Sequence, residues 1–510
     1  MKKFCKNYLY YHFVADIFIV LVAALAFIDA IFIENEEGEM LGVDMRMLPF
    51  FIGALALLYI GLIVYRVLYL RIASYTLTES EIRVTRGVLF RKNSIVDYKR
   101  MHAINKKQNI IQRLFGLAVL TVDSGSANTS ASAEIVIYET GAEVDRLLAE
   151  LKARKNGETV ETAAPAEEVI AADSGDLVFS SGKKLVYSLL NIGSALLTTL
   201  TVILLALITY FCLVPVLYKL FKAELFYALV TALVIALIGT VCISLFTFLV
   251  SILQSFVGYH NFRIKKNATD LEISYGLLTR HTNTFGFDRI QGVVIRQGII
   301  QRLFGYATLN LEVIGYQEGG DEGNNNGVAS VGILLPLCHI GEVESILSSI
   351  LSPYVPLKKE VSAKKYFPFI SWSMLLIGVI FALLWLTVLP PMRLLGATAT
   401  AVAIVRILLL CGLAIAAGLH AVGALLAYKT AGLAISEDRI TVFGGGYRKR
   451  ITTMRRRSLV AVENVTTPLR ARAGIYTLIL HMRTNAATNE VKVGMLDKAT
   501  ADQLLSILED

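Results

Sequence analysis

The chain has little of the residue chemistry that disulfide frameworks and metal sites require. Its 510 residues include only five cysteines and seven histidines. Three cysteines fall inside long apolar stretches, and Cys5 and Cys338 stand alone, so neither a disulfide framework nor a zinc site is predicted. No histidine lies at ligand spacing from another histidine, a cysteine or a group of carboxylates. We therefore expect no metal and no cofactor.

Sequence motifs of common enzymes are also missing. The chain has no glycine-rich phosphate loop followed by lysine and serine, no His-Glu-x-x-His and no Gly-x-Ser-x-Gly. The run Gly444-Gly445-Gly446 lacks the strand, helix and lysine context of a nucleotide loop and indicates a tight turn. The sequence predicts that the protein is not an enzyme.

Charged residues make up only 18% of the chain and hydrophobic residues 55%, a balance too apolar for a soluble protein. Six apolar stretches reach the roughly 18 to 20 residues that cross a bilayer, and short turns join them in pairs. The first is too long for a signal peptide, and a second follows it closely. We predict six transmembrane helices in three hairpins, at residues 13–33, 48–70, 186–216, 225–257, 367–389 and 398–427.

The few ionisable residues in these stretches are costly at mid-bilayer. Asp16, Asp29, Arg66 and Arg406 lie near the predicted membrane edges, which favours snorkelling or an interfacial position. His420 lies deeper, where a neutral imidazole packed between helices is the simplest interpretation.

Lysine and arginine are distributed unequally between the two sides of the predicted membrane. The N-terminus and the segments that flank the apolar pairs on the side of the repeats are rich in them, whereas the loop between the first two stretches carries five carboxylates and one arginine. The positive-inside rule therefore places both termini and the extramembrane segments in the cytoplasm. The net charge of +8 then lies beside an anionic leaflet.

One extramembrane segment occurs three times. Residues 87–120 align with residues 276–309, 189 positions later, at fourteen identities in thirty-four positions. Both copies contain Gln-x-Ile-Ile-Gln-Arg-Leu-Phe-Gly, and a diverged third copy runs from Gly445 to Gly474. Because each copy follows an apolar pair, the repeating unit is predicted to be a hairpin plus a small domain. In the second copy we expect Leu303 and Phe304 to be buried anchors.

Apolar residues in each copy alternate with a period of two, which predicts a curled antiparallel β-meander with glycine at the chain reversals. An amphipathic helix is predicted to close each copy, at residues 143–151, 341–351 and 498–508. The fold class is thus α+β, with each hairpin followed by a β-sandwich or barrel and a C-terminal helix. A linker rich in Ala, Glu, Thr and Ser separates the first domain from the second hairpin.

This pattern resembles the bacterial pleckstrin-homology (PH) family, in particular multi-pass members with three PH-like domains as in Bacillus. The residues that carry the resemblance are Gly87 and Gly276 with the segments after them, the Arg289-Ile290-Gln291 step and the repeated nonapeptide. The predicted domains are hairpin 1 (1–70), PH-like domain 1 (71–152), linker (153–184), hairpin 2 (185–257), PH-like domain 2 (258–354), hairpin 3 (355–427) and PH-like domain 3 (428–510).

The candidate binding site is a cationic run in the third domain. Guanidinium groups match phosphate oxygens, and each cation near an anionic leaflet adds about 1 kcal/mol of attraction. The alternative is a solvated basic face that topology alone requires. Nucleic acid is not expected, because aromatic residues that stack on bases are not interleaved with the run. Its residues are Arg448, Lys449, Arg450, Arg455, Arg456 and Arg457.

These observations favour a non-enzymatic membrane scaffold that binds protein partners or anionic lipid headgroups. The family resemblance implies self-association or assembly with shorter PH-like membrane proteins, in envelope stress or defence. A transporter or channel and a membrane enzyme acting on lipid are the alternatives. The sequence shows neither paired broken helices nor a cluster of carboxylates or histidines at the membrane edge.

Overall fold

A computed structural model describes most of the chain. The described residues are 2–31, 48–101, 103–123, 135–156, 177–178, 203, 223–314, 331–362, 375–383, 385–386, 399–466, 468–472, 474–482 and 489–509. The chain divides into two compact units, and the division falls inside the second repeat. The first unit comprises residues 1–178, 261–289 and 314–330, and the second comprises residues 179–260, 290–313 and 331–510.

Four long helices contain the longest described apolar stretches. They are α1 (Asn7–Ile31), α2 (Leu48–Ile72), α5 (Ala223–Gly258) and α8 (Ala399–Thr430), numbered with the shorter helices given below. Three of them contain segments long and apolar enough to cross a membrane, Ile52–Ile72, Val230–Gly258 and Leu409–Thr430, and α1 contains the shorter apolar segment Asn7–Val22. All of the predicted stretch 186–216 except residue 203, and most of 367–389, lie outside the described residues.

Helices α1 and α2 pack against each other, as the first predicted hairpin requires. Arg66 of α2 donates two hydrogen bonds of 3.2 Å to the carboxylate of Asp16 on α1, and Asp16 is buried. That the two residues lie near a membrane edge, by snorkelling or at the interface, stays a prediction, and the structure adds that they form an ion pair. Each charge is neutralised by the other between the two helices, which lowers the cost of ionisable residues in apolar segments.

The strands of the first unit form two sheets. A four-stranded sheet has the order β1-β2-β3-β4, and a seven-stranded sheet has the order β7-β6-β5-β11-β10-β9-β8. The strands are β1 (Lys2–Lys3), β2 (Ser74–Leu77), β3 (Glu81–Arg86), β4 (Lys92–Asp97), β5 (Ala103–Gln108), β6 (Leu117–Asp123), β7 (Ile135–Thr140), β8 (Leu177–Val178), β9 (Arg263–Lys266), β10 (Asp270–Tyr275) and β11 (Arg280–Gly286). Helices α3 (Ile110–Leu114) and α4 (Gly141–Asn156) belong to the same unit.

The second unit repeats this arrangement. Its seven-stranded sheet has the order β14-β13-β12-β18-β17-β16-β15, and its three-stranded sheet has the order β19-β20-β21. The strands are β12 (Ile290–Gln297), β13 (Tyr306–Val313), β14 (Val331–His339), β15 (Val361–Ser362), β16 (Gly432–Ile435), β17 (Arg439–Gly444), β18 (Lys449–Arg455), β19 (Leu459–Val465), β20 (Tyr476–Met482) and β21 (Asn489–Leu496). Its short helices are α6 (Ile299–Leu303), α7 (Val343–Ile350), α9 (Pro468–Arg472) and α10 (Lys498–Glu509).

Period-two alternation explains the cores of the first and third repeats. In β3, Ile82 and Val84 are buried and belong to one apolar cluster with Leu120 of β6 and Leu147 of α4. The third repeat has an equivalent cluster that includes Leu480 of β20. The predicted closing helices are thus observed, and α4 and α10 extend beyond their predicted ends.

The bounding glycines identified in the sequence take a backbone conformation that L-residues rarely adopt. All six have φ between +63° and +108°, and a Cβ added at Gly87 or Gly276 would overlap a carbonyl oxygen three residues on. Glycine is needed there because it alone has no Cβ. The six are Gly87, Gly116, Gly276, Gly305, Gly445 and Gly474.

The seven-stranded sheets join consecutive repeats, which the sequence did not predict. In the first unit, β5 of repeat 1 pairs antiparallel with β11 of repeat 2, and Gln108 lies opposite Arg280. In the second unit, β12 of repeat 2 pairs with β18 of repeat 3, and Gln297 lies opposite Lys449. Since repeat 2 follows repeat 1 by 189 residues and repeat 3 follows repeat 2 by 169, the two junctions have the same register.

The two ends of each predicted hairpin region meet in a sheet. The two-residue strands β1, β8 and β15, which precede the apolar regions, pair antiparallel with β2, β9 and β16, which follow them. A chain that leaves a sheet and returns to the adjacent strand has both ends on one side, as a hairpin does.

Candidate functional site

The repeated nonapeptide forms a strand end followed by a one-turn helix, and its two glutamines hold that turn. Nε2 of Gln108 donates to the Leu117 carbonyl oxygen at 2.8 Å, and Nε2 of Gln297 donates to the Tyr306 carbonyl oxygen at 2.9 Å. The second glutamine of each copy, Gln301 in repeat 2, is buried and accepts a hydrogen bond from the backbone N–H that precedes the helix. Such a cap satisfies a free donor at a helix start, and in repeat 1 the cap is reciprocal, because Asn109 also accepts from the Gln112 backbone N–H.

The apolar residues of the same helix point outward. Leu303 is 81% exposed and Phe304 is 59% exposed, so their predicted role as buried anchors is wrong, although Gly305 does form the predicted turn. The reason is geometric, since Gln301 occupies the inward position of a five-residue helix. Leu114 of repeat 1 is equally exposed. Exposed apolar clusters of this kind indicate contact with a membrane or a partner.

In the first unit the one-turn helix α3 lies beside the start of a long apolar helix. Nδ2 of Asn7 on α1 donates to the Phe115 carbonyl oxygen at 2.7 Å, and Nδ2 of Asn109 donates to the Tyr11 hydroxyl at 3.3 Å. The guanidinium of Arg113 donates to the Leu277 carbonyl oxygen in the β10–β11 turn at 3.4 Å. The exposed side chains of α3 and this turn therefore lie at the end of the domain where the apolar helix α1 begins.

The second unit has the matching contacts. Nη1 of Arg302 on α6 donates to the Gly446 carbonyl oxygen at 3.1 Å, in the turn equivalent to the β10–β11 turn. In that turn, the Tyr447 hydroxyl donates to the Leu419 carbonyl oxygen of α8. The hydroxyl of Thr430, at the end of α8, donates to the Gly445 carbonyl oxygen. This end of the sheet thus faces an apolar helix of membrane-spanning length.

A basic cleft of about 490 Å³ opens at the same end of the β12–β18 junction. Its cationic lining comprises five side chains, against the single carboxylate of Glu490, which pairs with Lys492 at 2.7 Å. The five are Arg296, Arg448, Lys449, Arg450 and Lys492.

Burial and mutual repulsion destabilise the charged forms of basic side chains in this cleft. Burial, followed by the nearby charges of Arg302 and Lys359, lowers the pKa of Lys449 below its usual 10.5. Burial and the charge of Arg450 lower the pKa of Arg296. Arg450 pairs with the buried Glu312 at 3.4 Å, and Lys492 pairs with Glu490. An anion in the cleft would offset the repulsion between these cations.

The predicted cationic run does not form one patch. Arg448, Lys449 and Arg450 line the cleft, whereas Arg455 and its two successors lie at the opposite end of β18, about 20 Å away at some 3.4 Å per residue. There the Arg455 guanidinium lies over the Tyr354 ring at 5.2 Å. The backbone N–H of Arg456 donates to the Asp438 carbonyl oxygen at 2.9 Å, and Arg457 is exposed.

Sequence reasoning missed Arg296 and Lys492. Arg296 lies in β12 opposite Arg450, and Lys492 lies in β21. Their proximity depends on pairing between repeats, and strand periodicity does not identify which strands pair. Alignment of the repeats could have pointed to Arg296, because another basic residue, Lys107, occupies the aligned position in repeat 1.

Comparison with known proteins identifies the repeated unit. The family model described as bacterial PH domain matches residues 18–154, 187–353 and 373–510. Among curated proteins, UPF0699 transmembrane protein YdbT of Bacillus subtilis (strain 168) is 25% identical over 316 residues, which are 60% of this chain and 62% of that protein. The match thus spans less than two thirds of the relative's length. No solved structure matches the chain.

Proposed function

Because this chain belongs to the bacterial PH domain family and is a membrane protein with three matched repeats, we propose that it is a non-enzymatic multi-pass membrane scaffold. Its PH domains rest on the cytoplasmic leaflet and bind anionic lipid headgroups or protein partners. Self-association and assembly with shorter PH-like membrane proteins are the partner classes, and envelope stress or defence is the physiological setting.

One observation carries the proposal. At the end of the sheet that faces α8, the cationic cleft lies beside the exposed apolar residues of α6, because Arg302 of α6 contacts the turn that lines the cleft. Apolar side chains that enter the interface, combined with cations that attract anionic lipid, are how a surface binds to a leaflet. The excess of lysine and arginine on the same side of the predicted hairpins supports the cytoplasmic orientation.

The test compares two pairs of charge-removing substitutions in the full-length protein. Arg448→Gln with Lys492→Gln removes two exposed cations of the cleft and leaves the Arg450–Glu312 pair intact. Arg456→Gln with Arg457→Gln removes the same charge at the far end of β18. Native mass spectrometry of detergent-solubilised protein measures the retention of added phosphatidylglycerol and phosphatidylcholine.

We expect wild-type protein to retain phosphatidylglycerol in preference to phosphatidylcholine. Two cations at about 1 kcal/mol each contribute roughly 2 kcal/mol, so the cleft pair should weaken retention about thirtyfold and the distal pair much less. Equal retention of both lipids, or equal effects of both pairs, would contradict lipid binding at the cleft. Solute flux or lipid turnover by the purified protein in liposomes would instead support a transporter or an enzyme.

A further inference from the structure

Both junctions between repeats pair the same two kinds of edge strand, and among the described residues one edge strand of each kind has no partner. At each junction the first strand of one repeat's second sheet, β5 or β12, pairs with the third strand of the next repeat's first sheet, β11 or β18. The equivalent strands at the ends of the series are β4 in repeat 1 and β19 in repeat 3. Among the described residues, each is the last strand of its sheet.

Side chains on β4 are exposed at positions where the junctions bury them. Ile95 is 56% exposed, whereas the aligned Thr284 and Thr453 are 6% and 1% exposed. Thr284 is covered because β5 pairs with its strand β11, and Thr453 is covered because β12 pairs with its strand β18. An exposed isoleucine on an unpaired edge strand is unusual and favours pairing with another strand. Edge strands of natural proteins are normally protected from such pairing by charge, proline or a bulge.

Strand β19 shows the complementary exposure. Ala461 is exposed, whereas the aligned Ala103 of β5 is fully buried. Val462 is half-buried, whereas the aligned Ile104 and Val293 are buried. Val460, at the start of the strand, is exposed as well.

We infer that β19 of one molecule pairs with β4 of a second copy of this chain, so that the protein assembles head to tail. The inference rests on the proposed scaffold role and deepens it by naming the self-association surface. The contact uses different surfaces on the two molecules, so it generates chains or closed rings rather than a single symmetric dimer. Main-chain hydrogen bonds along the added strand supply most of the contact.

The repeat offsets fix the register of this contact. Transferring the register of both internal junctions places Ser94 opposite Glu463, Ile95 opposite Val462 and Val96 opposite Ala461. The exposed Ile95 then covers the half-buried Val462. Val462 packs at the edge of the apolar cluster of repeat 3, so the contact extends that cluster.

Repeat 3 lacks the arginine that contributes a hydrogen bond to each internal junction. Arg113 and Arg302 donate to the turn of the following repeat, and the aligned residue in repeat 3 is Ala471. The contact between molecules therefore lacks one charge-assisted hydrogen bond that both internal junctions possess. It is expected to be weaker and reversible, and Ala471→Arg is expected to tighten it.

Disulfide crosslinking in native membranes tests the register. Two differently tagged full-length proteins, with their native cysteines replaced by serine, carry Ser94→Cys and Glu463→Cys and are co-expressed. Directly opposite residues lie within disulfide reach, whereas a diagonal partner two residues away lies about 7 to 8 Å off. The control therefore combines Ser94→Cys with Ala461→Cys, which is exposed and on the same face of β19.

We expect oxidation to link the two tagged proteins to each other, with little linkage in the control. In liposomes, energy transfer between donor-labelled and acceptor-labelled full-length protein should show that Ala471→Arg lowers the apparent dissociation constant about tenfold, the gain from one charge-assisted hydrogen bond. Ile95→Asp should abolish the transfer.

Three results would overturn the inference. These are linkage of Ser94→Cys protein to itself, linkage of Glu463→Cys to a different and shorter protein, and no linkage together with no effect of Ala471→Arg. Lipid retention at the cleft is measured on separate variants. A failure of head-to-tail pairing is therefore distinguishable from a failure of lipid binding.

Discussion

The exposed leucine of α6 offers a direct test of membrane contact. Leu303 and Phe304 are 81% and 59% exposed. Full burial of one such side chain contributes roughly 1.5 to 3 kcal/mol, so transfer of the exposed portions into the interface should contribute about 2 to 4 kcal/mol per helix. Interfacial helices place their apolar face roughly 5 to 10 Å into the boundary between headgroups and acyl chains. A tryptophan in place of Leu303 should reach that depth.

The assay uses Leu303→Trp in the full-length protein, with native Trp372 and Trp385 replaced by phenylalanine, in liposomes containing lipids brominated at defined positions. We expect emission shifted to shorter wavelength and quenching by lipids brominated near the headgroup. Arg457→Trp, at the opposite end of β18, is the control and should remain unquenched. Equal emission and equal quenching at the two positions would refute the assignment of α6 to the membrane surface.

Two further predictions follow from burial and charge. Leu309→Ala, at a fully buried position of β13, should lower the free energy of unfolding by about 2 to 5 kcal/mol, whereas Leu303→Ala should change it by under about 0.5 kcal/mol, as thermal unfolding in detergent measures. Because the pKa of Lys449 is lowered, retention of phosphatidylglycerol should fall as pH rises toward 10.5, and Lys449→Arg should flatten that profile. In the same window the unfolded chain binds more protons than the folded one, so the contribution of Lys449 to stability should rise with pH.

Much of the repeat architecture could be predicted from sequence because it depends on local signals. The bounding glycines mark backbone that needs positive φ, and the alternation of Ile82 and Val84 marks an inward strand face. The family assignment followed from the same residues, and the family model matches all three repeats.

Features that depend on pairing between distant segments were not predicted. Nothing in the alternation of β5 identifies β11 as its neighbour, because the partner lies more than 170 residues away. The exposure of Leu303 was also not predicted. An apolar residue two positions after a buried glutamine gives the same sequence pattern whether its side chain packs inward or faces outward. The cationic run does not form one patch because β18 lies within it, and the length of this strand places the first three and the last three basic residues at opposite ends of the strand.

The most direct test of the central claim, that the PH domains face the anionic cytoplasmic leaflet, is labelling of single cysteines in intact cells. Gly38→Cys lies in the predicted external loop and Asn325→Cys in the second PH domain, each in a background without native cysteines. An impermeant maleimide should label the first from outside and the second only after the membrane is permeabilised. Labelling of Asn325→Cys but not Gly38→Cys in intact cells would invert the topology and contradict the account.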